Sequence, residues 1–267
     1  MKPKYSKSAT LSDVILAQTE RFIRVTRNIG FNEYRITGGE PFLYENISDL
    51  LSLLRKDGIH YNLLTNGINI RKNTNLFIKY PPNKVIISYH SKMLYAAMHG
   101  IEHNTGLMDD CIRDLCAMGV DLTISVLFMR MNVSDVRSHI LHLRALGVKS
   151  VKIIYPNIGT IKMSLMTEFN SIINWAISMS GMNIRFSDSS VSRCFLTTRG
   201  FLSYLSSRNL LLGCCNSPIN RKFIANIDLL ENLPEILWKF YNEGSLINEY
   251  PCISHVTFCP IALSNSV

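Results

Sequence analysis

The sequence predicts an α/β fold built on a parallel sheet. Short apolar stretches rich in β-branched residues recur between residues 34 and 186, stretches of helical period stand between them, and Gly or Pro punctuates the joins. A helix between successive strands demands a crossover, and right-handed crossovers build parallel neighbours.

Taken in order, residues 12–29 read as a helix that Ser12 can cap, with Ile15, Leu16, Phe22, Ile23 and Ile29 at helical spacing and Gly30 behind them. A strand follows at 34–37. Ile47, Leu50, Leu51 and Leu54 mark the next helix, stopped by Gly58. The strand at 60–65 ends in Thr65-Asn66-Gly67, and the one at 84–89 follows the Pro81-Pro82 break. A helix at 107–118, closed by Gly119, leads to a strand at 121–128. The helix from Ser134 to 146 closes at Gly147 and leads to a strand at 150–155, ended by Pro156. A helix at 168–180 precedes a weaker strand at 183–186. Beyond about residue 189 the rhythm fails. That stretch holds five of the seven cysteines and an amphipathic helix near 232–242, with Leu233, Ile236, Leu237 and Phe240. The expected division is a parallel α/β domain over 1–188 and a Cys-containing extension over 189–267.

With 267 residues and 47% hydrophobic content, the chain can bury one large core with a small extension. Mean hydropathy is +0.11, and no apolar run approaches the ~18 residues of a membrane span. Val14–Ala17 is too short for a secretory core, so no membrane partner and a cytoplasmic location are expected. The net charge of +8 is scattered over Arg21, Arg24, Arg27, Arg71, Lys72, Lys149, Lys152, Arg221 and Lys222. That pattern reads as a solvated surface and argues against a nucleic-acid partner. Seven cysteines, an odd number without regular spacing, fit reduced thiols. Gly-x-Ser-x-Gly, Walker A and dinucleotide fingerprints are all missing, which argues against hydrolase, P-loop and Rossmann-dehydrogenase chemistry.

Parallel α/β folds bind ligands at the carboxyl ends of their strands. Three unusual turns fall there: Gly38-Gly39-Glu40-Pro41, Thr65-Asn66-Gly67 and Ser88-Tyr89-His90-Ser91. Adjacent glycines let the backbone approach a ligand closely, and their carbonyls with the Glu40 carboxylate offer only acceptors, which suits an ammonium group. Thr65, Asn66 and Ser88 add hydroxyl and amide groups for a carboxylate or ribose. Three such turns in consecutive units predict one pocket. Cys111 and Cys116 stand beside Ile112 and Leu115 and read as core residues. His99-x3-His103 reads as a surface loop, and His139 and His142 as solvated helix positions.

Tyr34-Arg35-Ile36-Thr37-Gly38-Gly39-Glu40-Pro41 closely resembles the second-strand motif of radical S-adenosylmethionine (SAM) enzymes. Val85 to Ser91 resembles their fourth-strand Ser-Leu-His segment, His99 to Gly106 the segment that often follows it, and Thr65-Asn66-Gly67 their third-strand ending. The resemblance covers roughly residues 10–160, and the nearest group contains molybdenum-cofactor biosynthesis protein A and the peptide maturases.

The resemblance implies a partial (β/α) barrel with Gly38, Gly39, Glu40 and Pro41 holding the SAM amine. It implies Thr65, Asn66 and Ser88 near the SAM carboxylate and ribose, with further contacts from Asn132 and Asn157. It also implies a 4Fe-4S cluster held by a Cys-x-x-x-Cys-x-x-Cys loop, yet no cysteine precedes Cys111. The resemblance therefore suggests a chain that begins just past the cluster loop, with one sheet edge left unpaired. Leu196 to Leu202, and Asn226-Ile227 followed by Glu235 to Trp238, resemble parts of the twitch or SPASM extensions. Cys194, Cys214, Cys215, Cys252 and Cys259 are thereby candidates for an eroded auxiliary cluster, although Leu205 stands where a cysteine is expected.

The activity implied is SAM-dependent radical chemistry on a peptide or a small biosynthetic intermediate, fed by an electron donor such as a flavodoxin or ferredoxin. A cluster-less pseudoenzyme binding a peptide or partner, and an aldolase- or isomerase-like barrel with Glu40 as base, are the alternatives.

Overall fold

The computed structural model describes residues 11–37, 40–91, 94, 105–154, 165–187, 203–205, 210–212 and 223–236. Contacts divide the chain into two compact units, one of Glu33–Asp188 and one joining Met1–Asn32 to Ser189–Val267. Helix α1 (Leu11–Asn28) thus groups with the C-terminal segment.

The first unit is a six-stranded sheet, all parallel, in the order of the chain. Its strands are β1 (Glu33–Ile36), β2 (His60–Thr65), β3 (Lys84–Ser88), β4 (Leu122–Leu127), β5 (Ser150–Ile154) and β6 (Asn183–Ser187). The helices between them are α2 (Ile47–Lys56), α3 (Thr74–Lys79), α4 (Thr105–Ala117), α5 (Val136–Ala145) and α6 (Met166–Ile177). Sequential order with right-handed crossovers sets every helix on one face, the arrangement of a barrel left open. The expected α/β partial barrel is therefore the fold. α3 was not expected: six residues give too little periodicity, and the Pro81-Pro82 break hid it.

Alternation along the strands separates two faces. Toward the helices stand Tyr61, Leu63, Val85, Ile87, Leu122, Ile124, Val126, Val151 and Ile153, all at most 5% exposed. The helices answer with Leu50, Leu51 and Leu54, then Met108, Cys111, Ile112 and Leu115, then Val136, Ile140 and Leu143. The other face carries Arg35, Asn62, Lys84, Ser88, Thr123, Ser125, Ser150, Lys152 and Arg185, interspersed with Leu64, Ile86, Leu127 and Ile154, so the inner side of the open barrel mixes polar and apolar positions.

One expectation for the outer layer needs correction. His139 is buried, because Val136, His139, Ile140 and Leu143 form one i, i+3, i+4, i+7 stripe of α5. Its Nε2 lies 2.9 Å from the Tyr89 carbonyl, and its ring meets Tyr89 edge-on at 5.0 Å. His142 reaches Asp109 at 2.9 Å, and Asp109 also accepts from the Tyr89 hydroxyl at 3.1 Å. Burial holds the His139 imidazole below the usual histidine range, with His142 adding to this while the Tyr89 carbonyl, Asp109 and Asp135 oppose it. A neutral Nε2–H tautomer suits that bond. The unfolded chain then binds a proton that the native ring refuses. Stability should therefore fall as pH drops below about 6.5, levelling off once the native ring protonates. Melting curves from pH 7.5 to 5 should show this slope in the wild type and a flatter one in His139→Gln.

In the second unit, β7 (Ser203–Leu205), β8 (Leu210–Leu212) and β9 (Phe223–Asn226) form an antiparallel sheet with a register shift between Leu211 and Leu212. A 3-10 helix, Ile227–Asn232, follows and runs into helical residues 233–236, the start of the helix expected near 232–242, whose remainder lies outside the described residues. Ile227, Leu230 and Leu233 are buried there, and the Arg21 guanidinium of α1 donates to the Glu231 carboxylate at 3.0 Å. Among the described residues, no helix is long and apolar enough to cross a membrane.

Candidate functional site

The chain leaves β1 through the Gly-Gly-Glu-Pro turn and re-enters at Pro41, the first residue of a 3-10 turn (Pro41–Leu43). Proline suits that position, since its fixed φ matches the turn and no donor is lost there. Glu40 caps the turn, with Oε1 accepting from the Phe42 amide at 3.3 Å. The same carboxylate spans to the end of β2: Oε1 accepts from the Thr65 hydroxyl at 2.6 Å and Oε2 from the Asn66 amide at 2.8 Å. Thr65 Oγ1 in turn accepts from the Gly67 amide at 3.0 Å, and Asn66 Oδ1 from the Ile68 amide at 3.0 Å. Glu40 is thus a latch that ties the 3-10 turn after β1 to the turn after β2.

Gly67 has no alternative here. Its φ is +83°, and a Cβ would lie 2.8 Å from Met108 Sδ and 3.1 Å from Ile87 Cγ2.

What remains free in this corner defines what it can bind. Among the described residues, Glu40 Oε2 holds a single hydrogen bond, which leaves a lone pair for an incoming N–H. Asn66 Nδ2 has no partner among the described residues, and neither does the exposed Ser88 hydroxyl. Thr65 pairs with Ile87 at the end of the ladder, and Asn66 and Ser88 directly follow these two residues. An acceptor for an ammonium group thus stands next to two donors for a carboxylate or a hydroxyl.

The other site residues fare differently. Asn132 is fully buried: its Oδ1 accepts from the Met129 amide at 2.8 Å and its Nδ2 donates to the Leu127 carbonyl at 2.7 Å, clamping the loop after β4. Gly38, Gly39, Asn157, Cys194, Cys214, Cys215, Cys252 and Cys259 lie outside the described residues, as do His99 and His103. Cys111 is a buried core thiol, pushed up to about 12 by burial and the Asp114 carboxylate, against a smaller pull from Arg71. Cys116 is also raised by burial, so neither favours the thiolate that a cluster needs. No three His, Cys, Asp or Glu side chains among the described residues gather as a metal site.

Sequence reasoning missed the inner-face cations. Lys152 was expected to be solvated; alternation along β5 turns it inward, where it is half-buried. Its ladder partner Arg185 donates to Thr123 Oγ1 at 3.4 Å and Ser150 Oγ at 3.3 Å, and Thr123 donates to Ser150 at 3.2 Å. Burial pushes the Lys152 amine below the usual lysine range, and the Arg35 and Arg185 guanidiniums push it further.

No protein-family model matches the chain. A probable GTP 3',8-cyclase of Thermococcus kodakarensis is 21% identical over 112 residues, 40% of this chain and 36% of that protein. SuiB of Streptococcus suis shares the fold at TM-score 0.66 and 13% identity, over 85% of this chain and 61% of SuiB. SuiB bound to S-adenosylmethionine gives a TM-score of 0.62 at 14% identity over 90% of this chain, and SuiB bound to its precursor peptide SuiA gives 0.60 at 13% over 91%; each match covers 62% of SuiB. The chain therefore spans about a third of the cyclase and three-fifths of SuiB. The chain thus resembles radical SAM proteins in its open parallel barrel and in its Gly-Gly-Glu-Pro octet.

Proposed function

We propose that the chain binds SAM at the carboxyl ends of β1 to β3 and serves SAM-dependent radical modification of a peptide. The Glu40 latch carries this reading, because it leaves one acceptor and two donors together at the end of the Gly-Gly-Glu-Pro turn. Glu40 would accept from the SAM ammonium group, with the Gly38 and Gly39 carbonyls beside it. Asn66 and Ser88 would meet its carboxylate or ribose, and Thr65 would hold the Glu40 carboxylate in line. Such chemistry would need one electron from an external donor, such as a flavodoxin or ferredoxin, to split SAM into methionine and a 5'-deoxyadenosyl radical, and the inner face of the sheet is where a substrate would meet that radical.

Asn132 serves the site by fixing the loop after β4, and any contact from Asn157 belongs to the same proposal. The described residues offer an acceptor and donors for SAM, but among them no set of thiolates for a 4Fe-4S cluster. The choice of a peptide over a small intermediate draws support from the likeness to SuiB bound to its precursor peptide.

Equilibrium dialysis against SAM, S-adenosylhomocysteine and adenosine tests the reading. SAM and S-adenosylhomocysteine, which share the amino-acid end, should bind, and adenosine should bind at least tenfold more weakly. Equal affinity for all three would refute the assignment of Glu40 to the ammonium group.

A further inference from the structure

On the inner face, the ladder sets Ser88, the last residue of β3, beside Ser125, Ser125 beside Lys152, and Lys152 beside Arg185. The row is polar throughout and changes character along its length: hydroxyls over β3 and β4, cations over β5 and β6. Parallel strands lie ~4.8 Å apart, so Lys152 stands about 10 Å across the sheet from Ser88.

Among the described residues, no carboxylate lies within ion-pairing distance of Lys152 or Arg185. Arg35, on the same face of β1, has only Glu33 at 4.0 Å, and that carboxylate already accepts from Asn62 at 2.7 Å. Lys84, by contrast, is paired with Asp121 at 3.1 Å. Arg185 is held by the hydroxyls of Thr123 and Ser150, which fix its direction without neutralising it. A half-buried amine between guanidiniums is costly unless an anion joins it.

We propose that Lys152 and Arg185 form a subsite for a carboxylate of the substrate. Its membership of the substrate rests on the function proposed above; the carboxylate site itself does not. A carboxylate fits better than a phosphate. Phosphate sites draw on backbone amides of glycine-rich turns and helix N-termini, whereas this row consists of mid-strand side chains. The substrate would then present an acidic group about 10 Å from the groups assigned to SAM, which suits an acidic side chain of an extended peptide.

The test is fluorescence anisotropy of a labelled hexaglutamate peptide at low salt, with inorganic phosphate as competitor. Lys152→Met and Arg185→Gln should each weaken binding at least fivefold. Lys84→Met removes the same charge from the same face at a paired position and should leave binding within twofold. Melting temperatures near wild type show that the variants are folded. Glu40→Ala, measured alongside, should lose SAM and keep the peptide. Peptide binding without SAM binding would sink the SAM reading and leave the subsite standing. Equal weakening by all three charge variants, no binding by the wild type, or displacement by phosphate at lower concentration than by free hexaglutamate would overturn the subsite.

Discussion

Glu40→Ala is expected to weaken SAM binding roughly ten- to hundredfold, the scale of a hydrogen bond from a charged donor. It should also destabilise the fold by about 2–4 kcal/mol, because the change strands more than one donor in the corner. The Thr65 hydroxyl and the Asn66 and Phe42 amides all donate to this carboxylate, and Thr65 is buried. Glu40→Gln separates the two roles. Its amide oxygen can still accept from Asn66, so stability should recover in part, while the lost charge keeps SAM binding weak. Calorimetric titration and urea unfolding on the same preparations check both. Cys111→Ala supplies the comparison: it empties core volume one helical turn beyond Met108, removes no hydrogen bond of the latch, and should leave SAM affinity unchanged.

Gly67→Ala carries the second large effect, a loss of about 2–4 kcal/mol. Left-handed backbone costs a residue with a Cβ roughly 1–2 kcal/mol. Overpacking adds about 1–3 kcal/mol, since the new carbon meets Met108 and Ile87. Met108 is buried and closes this corner from α4, so its thioether must move for the methyl to fit. A double-mutant cycle with Met108→Ala resolves the two contributions. The pair should be less destabilising than the sum of the singles, and strict additivity would mean that backbone strain accounts for the whole cost. Because Gly67 donates to Thr65, and Thr65 to Glu40, the variant should weaken SAM binding as well.

These effects converge on a corner that was legible in the sequence. Gly-Gly-Glu-Pro and Thr-Asn-Gly are local signals, each confined to a few residues behind a strand-like run, and glycine there has a steric reason to be present. The six strands were legible for the same reason: Gly58, Gly119 and Gly147 end helices just before the next apolar run begins. What the sequence hid was combination. The contact of Glu40 with Thr65 and Asn66 joins residues 25 and 26 positions apart. Ser88, Ser125, Lys152 and Arg185 are separated by long helical crossovers, and only the ladder register sets them side by side.

His139 shows a different failure. Its stripe was visible in the spacing, but histidine defaults to a polar reading unless the burial of its neighbours is weighed together with its own position. The second unit was the least legible, since three short antiparallel strands carry little alternation to detect.

Amide chemical-shift mapping during a SAM titration tests the central claim most directly. The account predicts saturable shifts at Asn66, Gly67 and Ser88, with smaller ones at Phe42, and none along α6. Shifts confined to other regions of the sheet, or none at saturating SAM, would contradict it.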